Sequence, residues 1–330
     1  MIQTWDDLKS DSWDNLLLGN GFSTNIWNKY SYSSLYAYSK SNSIEPILSD
    51  EIINIFTELG TVNFEEVLKA LAYAILVKKS VNEDPKRYLS LYKTVQDNLF
   101  NTVHAIHVHY SDVKKSEIAQ EIQVFKKIFT TCYDLILYWS SYNSLPSNGI
   151  ADFFWSYNSS FDPQDTDVYG RKIKFYYLHG ALHLQQNLEG VVSKIIHTSD
   201  SLPISEDFNY EGIKTKIPLY ISEGKSEYKL NKILANSYLT FCYKTFSEMT
   251  GSLVVVGHAL DKEYDGHIVE AIKSNLRITK VAISIYSGLP ASLKAQLVKD
   301  LEASLHRNGL ELAFFESNSY PLINKNVSVS

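Results

Sequence analysis

The chain alternates short apolar runs with longer stretches of helical periodicity. Leu16-Leu17-Leu18 runs into Gly19-Asn20-Gly21-Phe22-Ser23, which reads as a buried strand ending in a tight glycine turn. Phe64, Val67, Leu68, Leu71, Ile75 and Leu76 then recur at helical spacing, and Asn63 with Glu66 three positions on predicts a capping box at that helix's start. The pattern stays mostly helical to about residue 125, with a polar break near Asn82-Glu83-Asp84-Pro85. Residues 124–131 and 174–178 are the next strand candidates. The first leads into Cys132-Tyr133-Asp134 and the apolar stretch 135–139, and the second ends in His179-Gly180. Residues 198–230, with Ser, Asp, Gly, Lys and two prolines, read as a long surface excursion.

The last third has the clearest pattern. Leu253-Val254-Val255-Val256 stops at Gly257, and Ile268, Ala271 and Ile272 mark the helix that follows. Residues 281–285 form another strand, Leu293, Leu297, Leu301 and Leu305 line one helix face, and 312–315 close the series. Strand-helix-strand-helix-strand predicts an α/β fold, a Rossmann-like parallel sheet with helices on both faces. The expected organisation is one domain over residues 1–330, with a helical insertion at about 40–120. No internal repeat or low-complexity tract interrupts it.

Parallel sheets place their crevices beyond the carboxyl ends of the strands. Four strand ends carry polar or glycine-rich turns: 19–23, 130–134, His179-Gly180 and Gly257-His258. If those strands are neighbours, the four turns line one site.

Composition narrows the classes. Across 330 residues, 31 Lys and Arg stand against 37 Asp and Glu, a formal charge of −6, so no basic surface argues for a nucleic-acid partner. No apolar run approaches a membrane span, and no basic segment followed by a hydrophobic one opens the chain, so neither membrane nor leader is expected. Two cysteines, Cys132 and Cys242, build neither a disulfide framework nor a four-thiolate zinc site. The expectation is a soluble, reduced, cytoplasmic protein.

Each candidate motif has a structural alternative. The Gly19-Asn20-Gly21 turn suits close approach of backbone N–H groups to a phosphate, yet Thr24 stands where the dinucleotide fingerprint wants a third glycine, and such a turn is also an ordinary one. Thr130, Thr131 and Asp134 at a strand end suit ribose hydroxyls or a carboxamide, or else cap a helix. His179, followed by Gly180, is set to face the crevice as an imidazole near its usual pKa that takes a proton, where a structural histidine is the alternative. His183 four residues on, and the cluster His104, His107, His109, have metal-like spacing without a supporting carboxylate or thiol pattern, so no metal is expected.

Taken together, GNGFS at 19–23, TTCYD at 130–134, LHG at 178–180 and VVGHALDKEYDGHI at 255–268 resemble, in that order, the elements of sirtuin-like NAD-consuming domains. Trp5-Asp6-Asp7-Leu8, residues 61–68, residues 133–139 and Ile221-Ser222-Glu223-Gly224 resemble an uncharacterised bacterial family that we take as a branch of that group. The resemblance implies NAD as substrate and a setting in anti-phage defence, where related domains destroy NAD. It further implies that Gly19, Gly21 and Ser23 hold the pyrophosphate, with Asn20 and Phe22 shaping the loop. Asp134 contacts the carboxamide, His179 is the general base, and Gly257, His258 and Asp265 lie near the adenosine half. Two departures follow. Sirtuin deacetylases carry a four-cysteine zinc module that two cysteines cannot supply, which favours NAD glycohydrolysis over deacetylation. The resemblance also implies asparagine at position 132, where this chain has cysteine, and a thiol lacks the amide's paired donor and acceptor.

The leading reading is therefore an NAD glycohydrolase that releases nicotinamide and ADP-ribose. The alternatives are an NAD- or ADP-ribose-binding sensor or regulatory subunit, a Cys132–His179 nucleophile pair, and a scaffold. Enzymes of the resembled type are held inactive in assemblies, so a homo-oligomer or a defence-system partner protein is an expected partner, with the helical region as its interface.

Overall fold

Leu16, Leu17 and Leu18, buried on both sides, form the middle of the sheet that organises the chain. A computed structural model describes residues 2–31, 34–144, 150–155, 159–165, 173–195, 202–221 and 224–329. Strand β1 (Ile2–Gln3) is followed by β2 (Asn15–Leu18) and α1 (Asn20–Ile26). Helices α2 (Leu35–Ser41), α3 (Asp50–Glu58), α4 (Phe64–Ser80), α5 (Lys86–Ile106) and α6 (Lys115–Ile122) all precede β3 (Lys127–Thr130). Next come α7 (Ile136–Ser144), β4 (Ile150–Ala151), β5 (Ile173–Tyr177), β6 (Gly180–Asn187), β7 (Val192–Lys194) and β8 (Lys216–Tyr220). The chain closes with α8 (Ser226–Leu234), α9 (Ser237–Ser247), β9 (Gly251–Val256), α10 (Lys262–Ser274), β10 (Ile278–Ile285), α11 (Ala291–Leu305) and β11 (Glu311–Glu316).

Among the described residues the main sheet has eight strands, all parallel, in the order β1-β11-β10-β9-β2-β3-β5-β4. This is the Rossmann-like α/β architecture the pattern predicts. Its strands are apolar without alternation because helices cover both faces. From β2 the chain steps to β3 and β5 on one side, and later to β9, β10 and β11 on the other. The order therefore reverses between β2 and β9, where an open parallel sheet leaves a crevice at its carboxyl edge. Strands β6, β7 and β8 form a separate antiparallel sheet beside that edge. No helix among the described residues is long and apolar enough to cross a membrane.

Four local expectations differ from the structure. The glycine turn at 19–23 is not a loop, because α1 begins at Asn20 with Gly19 as its N-cap. The capping box at α4 does not form: the Asn63 side chain accepts no bond from the helix and instead donates from Nδ2 to the Tyr228 hydroxyl at 2.9 Å. The strand expected over 124–131 is shorter, since Val124 stands exposed in the turn after α6. Within 198–230, read as a surface excursion, β8 buries Ile217, Leu219 and Tyr220, and α8 follows. Polar composition hid a strand whose apolar residues pair with β6. Residues 198–201, and Ser222 and Glu223 of the 221–224 motif, lie outside the described residues.

Candidate functional site

The crevice is built on a contact between two glycine turns. The Gly19 N–H donates to Val256 O at 2.9 Å and the Gly21 N–H to Gly257 O at 2.7 Å, which ties the end of β2 to the end of β9. A Cβ at Gly19 would stand 2.6 Å from Gly257 O and His258 Cα, and one at Gly21 would stand 2.8 Å from Gly257 Cα. Gly257 itself has φ +65°, which L side chains rarely adopt. The glycines thus serve the approach of two backbones first. Their N–H groups, and that of Phe22, which donates to Gly19 O, are spent within the protein, while the Asn20 N–H has no backbone acceptor among the described residues.

Because β9, β2, β3 and β5 are consecutive in the sheet, all four turns open into one cavity of 490 Å³. Its walls include Asn20, Gly21, Thr131, Cys132, His179, Lys229, Gly257, His258 and Asp265. His179 follows β5, and its carbonyl accepts from the Ile221 N–H at 2.7 Å beyond β8. Gly180, at φ +73°, turns the chain directly into β6, where a Cβ would run into Leu219. The imidazole is buried, with Nε2 3.1 Å from Nε2 of His267 on α10. His267 Nδ1 lies 3.0 Å from Ser226 Oγ at the start of α8. Helix α10 holds a non-helical residue at Asp265 (φ −133°, ψ 26°), and the Asp265 carboxylate accepts from Lys229 Nζ at 2.9 Å, with His258 Nε2 3.9 Å away.

This environment corrects the expectation of a near-normal imidazole. Burial, with Lys229 and His267 adding to it, pushes His179 well below its usual pKa, and burial lowers His267 to about 4. Burial also lowers His258. For Asp265 burial acts upward, but His258 and Lys229 outweigh it and hold the carboxyl below the ordinary range. At neutral pH the cavity therefore presents neutral imidazoles beside an ionised carboxylate–ammonium pair.

On the β3 side, Asp134 is turned away from the cavity. Its carboxylate accepts from Ser23 Oγ and from the Ile136 N–H at 2.9 Å, so it caps α7 and pins α1. Ser23 is fully buried in that bond. Thr130 Oγ1 accepts from the Cys132 N–H at 3.0 Å, and Thr131 donates its N–H to Leu18 O at 3.0 Å. Cys132 reaches the cavity wall, but burial and the nearby Asp134 carboxylate push its thiol up to about 12. Such a thiol is not a nucleophile at neutral pH. Alkylation of Cys132 by iodoacetamide at pH 7.5 is expected to be far slower than that of a free thiol. Rapid labelling located to Cys132 by mass spectrometry would contradict this.

A second cavity of 540 Å³ shares Gly21, Gly257, His258 and Ala259 with the first and continues over β9 and β10. It is lined by Ile285, Tyr286, Leu297, Leu301 and Ile323, with Asn25, Ser284 and Ser317 as polar groups. A larger cavity of 660 Å³ beside β6 and β7 touches none of the turns at 19–23, 130–134, 179–180 and 257–258.

Two further histidines, His183 and His107, serve packing. His183 lies on β6, stacked on Tyr138 with ring centroids 4.3 Å apart. His107, expected on a helix surface with His104 and His109, is buried. Its Nδ1 donates to Val108 O at 2.8 Å and its Nε2 accepts from the Leu135 N–H at 3.1 Å. For a metal, His179, His267 and Asp265 offer ligand atoms within 4.8 Å of one another. The two imidazoles, however, have centroids 5.3 Å apart, close to the greatest separation a 3.1 Å Nε2 contact permits. The two Nε2 atoms thus face each other along one hydrogen bond with a single proton between them, whereas ligands of one ion converge at an angle.

Sequence reasoning missed Lys229, Ser226 and His267. The first two fall in the segment read as an excursion. His267 lay inside the 255–268 motif, two residues from Asp265, and that proximity in the motif was the available signal.

The buried histidines set an acid limit. An unfolded histidine titrates near 6.5 and His107 and His267 near 4 in the fold, so between those values the unfolded chain holds more protons and stability falls as pH drops. Each contributes a loss of about 2 kcal/mol by pH 5. His179 and His258 act in the same direction, while Asp134, raised by burial, opposes them at the acid end. Denaturant midpoints should therefore fall clearly from pH 7.5 to pH 5, and equal midpoints would contradict the buried neutral state.

Comparison with known proteins yields a family, and solved structures that include two Sir2 homologues. A family model described as Domain of unknown function (DUF4917) matches residues 16–322. A Sir2 homologue mutant in complex with ADP-ribose is similar at TM-score 0.36 and 10% identity, over 90% of this chain and 95% of that one. A Sir2 homologue in complex with NAD is similar at TM-score 0.37 and 11% identity, over 92% and 97%. No curated protein matches the sequence.

Proposed function

This chain belongs to the DUF4917 family, and we propose that it is an NAD glycohydrolase that cleaves the bond between nicotinamide and ribose. One observation carries the reading. The neutral His179 faces a mixed cavity, with Asn20, Lys229 and Asp265 in its wall, that adjoins a second, largely apolar cavity across the Gly21–Gly257 contact, giving two compartments for the two halves of a dinucleotide. Ile285, Tyr286 and Leu297 offer flat apolar cover for a purine, and Ser284 and Ser317 offer hydroxyls for its ribose. The motif resemblance at 19–23, 178–180 and 255–268 independently suggests NAD.

Nicotinamide leaves as a neutral pyridine and needs no acid. The chain must therefore supply negative charge near the developing sugar cation and a base for the attacking water. Asp265, ionised beside Lys229, supports the first role, and His179 the second. The Asn20 N–H is the group of the 19–23 turn left to meet the pyrophosphate. The test is incubation with NAD and identification of nicotinamide and ADP-ribose. Their appearance supports the reading, and unchanged NAD under all conditions overturns it. The role in phage defence rests on the motif resemblance and would show as NAD loss in infected cells.

Cys132 favours a second reading, a nucleotide-binding sensor. Its thiol stands where the resemblance implies asparagine, and Asp134 faces Ser23 instead of the cavity. Tight NAD binding without turnover, with turnover created by Cys132→Asn, would establish that reading.

A further inference from the structure

We propose that Ser226, His267 and His179 form a proton relay in which His267 holds His179 in the tautomer with a bare Nδ1 and takes up positive charge when that nitrogen accepts a proton. The inference rests on the reading of His179 as the base. The geometry that carries it is the run of three groups from α8 through α10 to the end of β5. Ser226 Oγ accepts the His267 backbone N–H at 2.7 Å and lies 3.0 Å from its Nδ1, and the two Nε2 atoms meet head-on at 3.1 Å.

Two nitrogens facing each other at that distance hold one proton between them. With Ser226 accepting from His267 Nδ1–H, His267 Nε2 is left as an acceptor. His179 must then carry its proton on Nε2, and its Nδ1 is unprotonated. No hydrogen bond engages His179 Nδ1 among the described residues, so that nitrogen is left for the cavity the ring lines. When a water in the cavity gives a proton to Nδ1, its oxygen bonds to the sugar carbon as the carbon–nitrogen bond to nicotinamide breaks, its electron pair leaving with the neutral pyridine. The Nε2 proton can then pass to His267 Nε2, whose Nδ1–H stays on Ser226. The gained charge is thereby shared by two rings. Of the charged groups around the pair, Asp265 on α10 favours this charge, while Lys229 on α8 and a protonated His258 beyond β9 oppose it. Moving the proton from His179 to His267 places the charge on the ring whose Nδ1–H is held by Ser226, the only oxygen bonded to either ring among the described residues. In the opposite tautomer order, with Ser226 donating, His179 Nδ1 carries a proton and cannot act as a base. His267 is thus a positioning residue that decides whether His179 is competent.

The test is histidine ring ¹⁵N NMR of the full chain without substrate, with signals assigned by their loss in His179→Gln and His267→Phe. The expected result is an unprotonated Nδ1 and a protonated Nε2 on His179, with both tautomers populated in His267→Phe and in Ser226→Ala. A protonated Nδ1 in the parent, or unchanged tautomer populations in both variants, would overturn the relay. In turnover, His267→Phe should lower kcat roughly tenfold to a hundredfold with KM within about twofold. His267→Gln, whose amide oxygen accepts the His179 Nε2–H, should recover part of that loss. If the tautomer order is found but NAD is not cleaved, the relay stands and the glycohydrolase reading fails. If parent and His267→Phe cleave NAD equally, the relay fails and the reading stands.

Discussion

His179→Ala is expected to lower nicotinamide release from NAD by about 10²–10⁴-fold, the contribution of a general base. The expectation is large because the cavity holds no substitute. Cys132 lies in the same wall, but its thiol is pushed up to about 12. His258 Nδ1 is occupied by the Leu260 N–H at 3.0 Å, and His267 has both ring nitrogens engaged, by Ser226 and by His179 itself. Asp265 is held by Lys229 and by nearby imidazoles as a weak base. Since His179 is buried, His179→Gln serves as a second variant that fills the space and cannot take a proton. Both should still bind NAD, as calorimetry can show. Retained turnover in both would remove His179 from the chemistry.

The second large effect is structural. Gly257→Ala should cost roughly 2–5 kcal/mol, because it adds a left-handed penalty to an overpacked contact. At φ +65° the new methyl would run into Phe22 N and the Gly21 backbone, which have nowhere to move without pulling α1 off the end of β2. The Gly21 N–H to Gly257 O bond would open, and with it the seam that joins the two cavities. NAD binding should therefore be lost together with stability. Gly60→Ala is the contrasting control, since that glycine also has positive φ but a Cβ there meets nothing within 4 Å. It should show a smaller destabilisation with binding intact. Equal effects at the two positions would mean that backbone strain alone, and not the seam, explains the loss at Gly257.

Six of the eight strands of the main sheet were legible because they are short apolar runs ended by glycine or polar turns, a signal that needs no long-range information. The two-residue edge strands β1 and β4 are too short to show it. Leu16 to Leu18 and Leu253 to Val256 announced themselves in that way, and the convergence of their turns follows from strand order. What the turns would do was less legible. Gly19 and Gly21 look alike as phosphate glycines and as a backbone seam, and only the neighbouring Gly257 separates the two roles. Asp134 looked equally suited to a ligand and to a cap, and its proximity to Ser23, 111 positions away, turned it toward the cap. Lys229 was hidden by composition. A lysine in a polar stretch reads as solvent-facing, and its burial depends on Asp265, brought to it by the kink in α10. Pairwise long-range contacts of this kind leave no periodicity for a sequence to display.

The dinucleotide site is best tested by a structure of the protein crystallised with ADP-ribose. The expected ligand spans the two cavities. Its pyrophosphate should cross the Gly21–Gly257 seam near the Asn20 N–H, its adenine should lie against Tyr286 and Leu297, and its free ribose carbon should come within reach of His179 Nδ1. An empty crevice at saturating ligand, or ADP-ribose bound in the cavity beside β6 and β7, would contradict it.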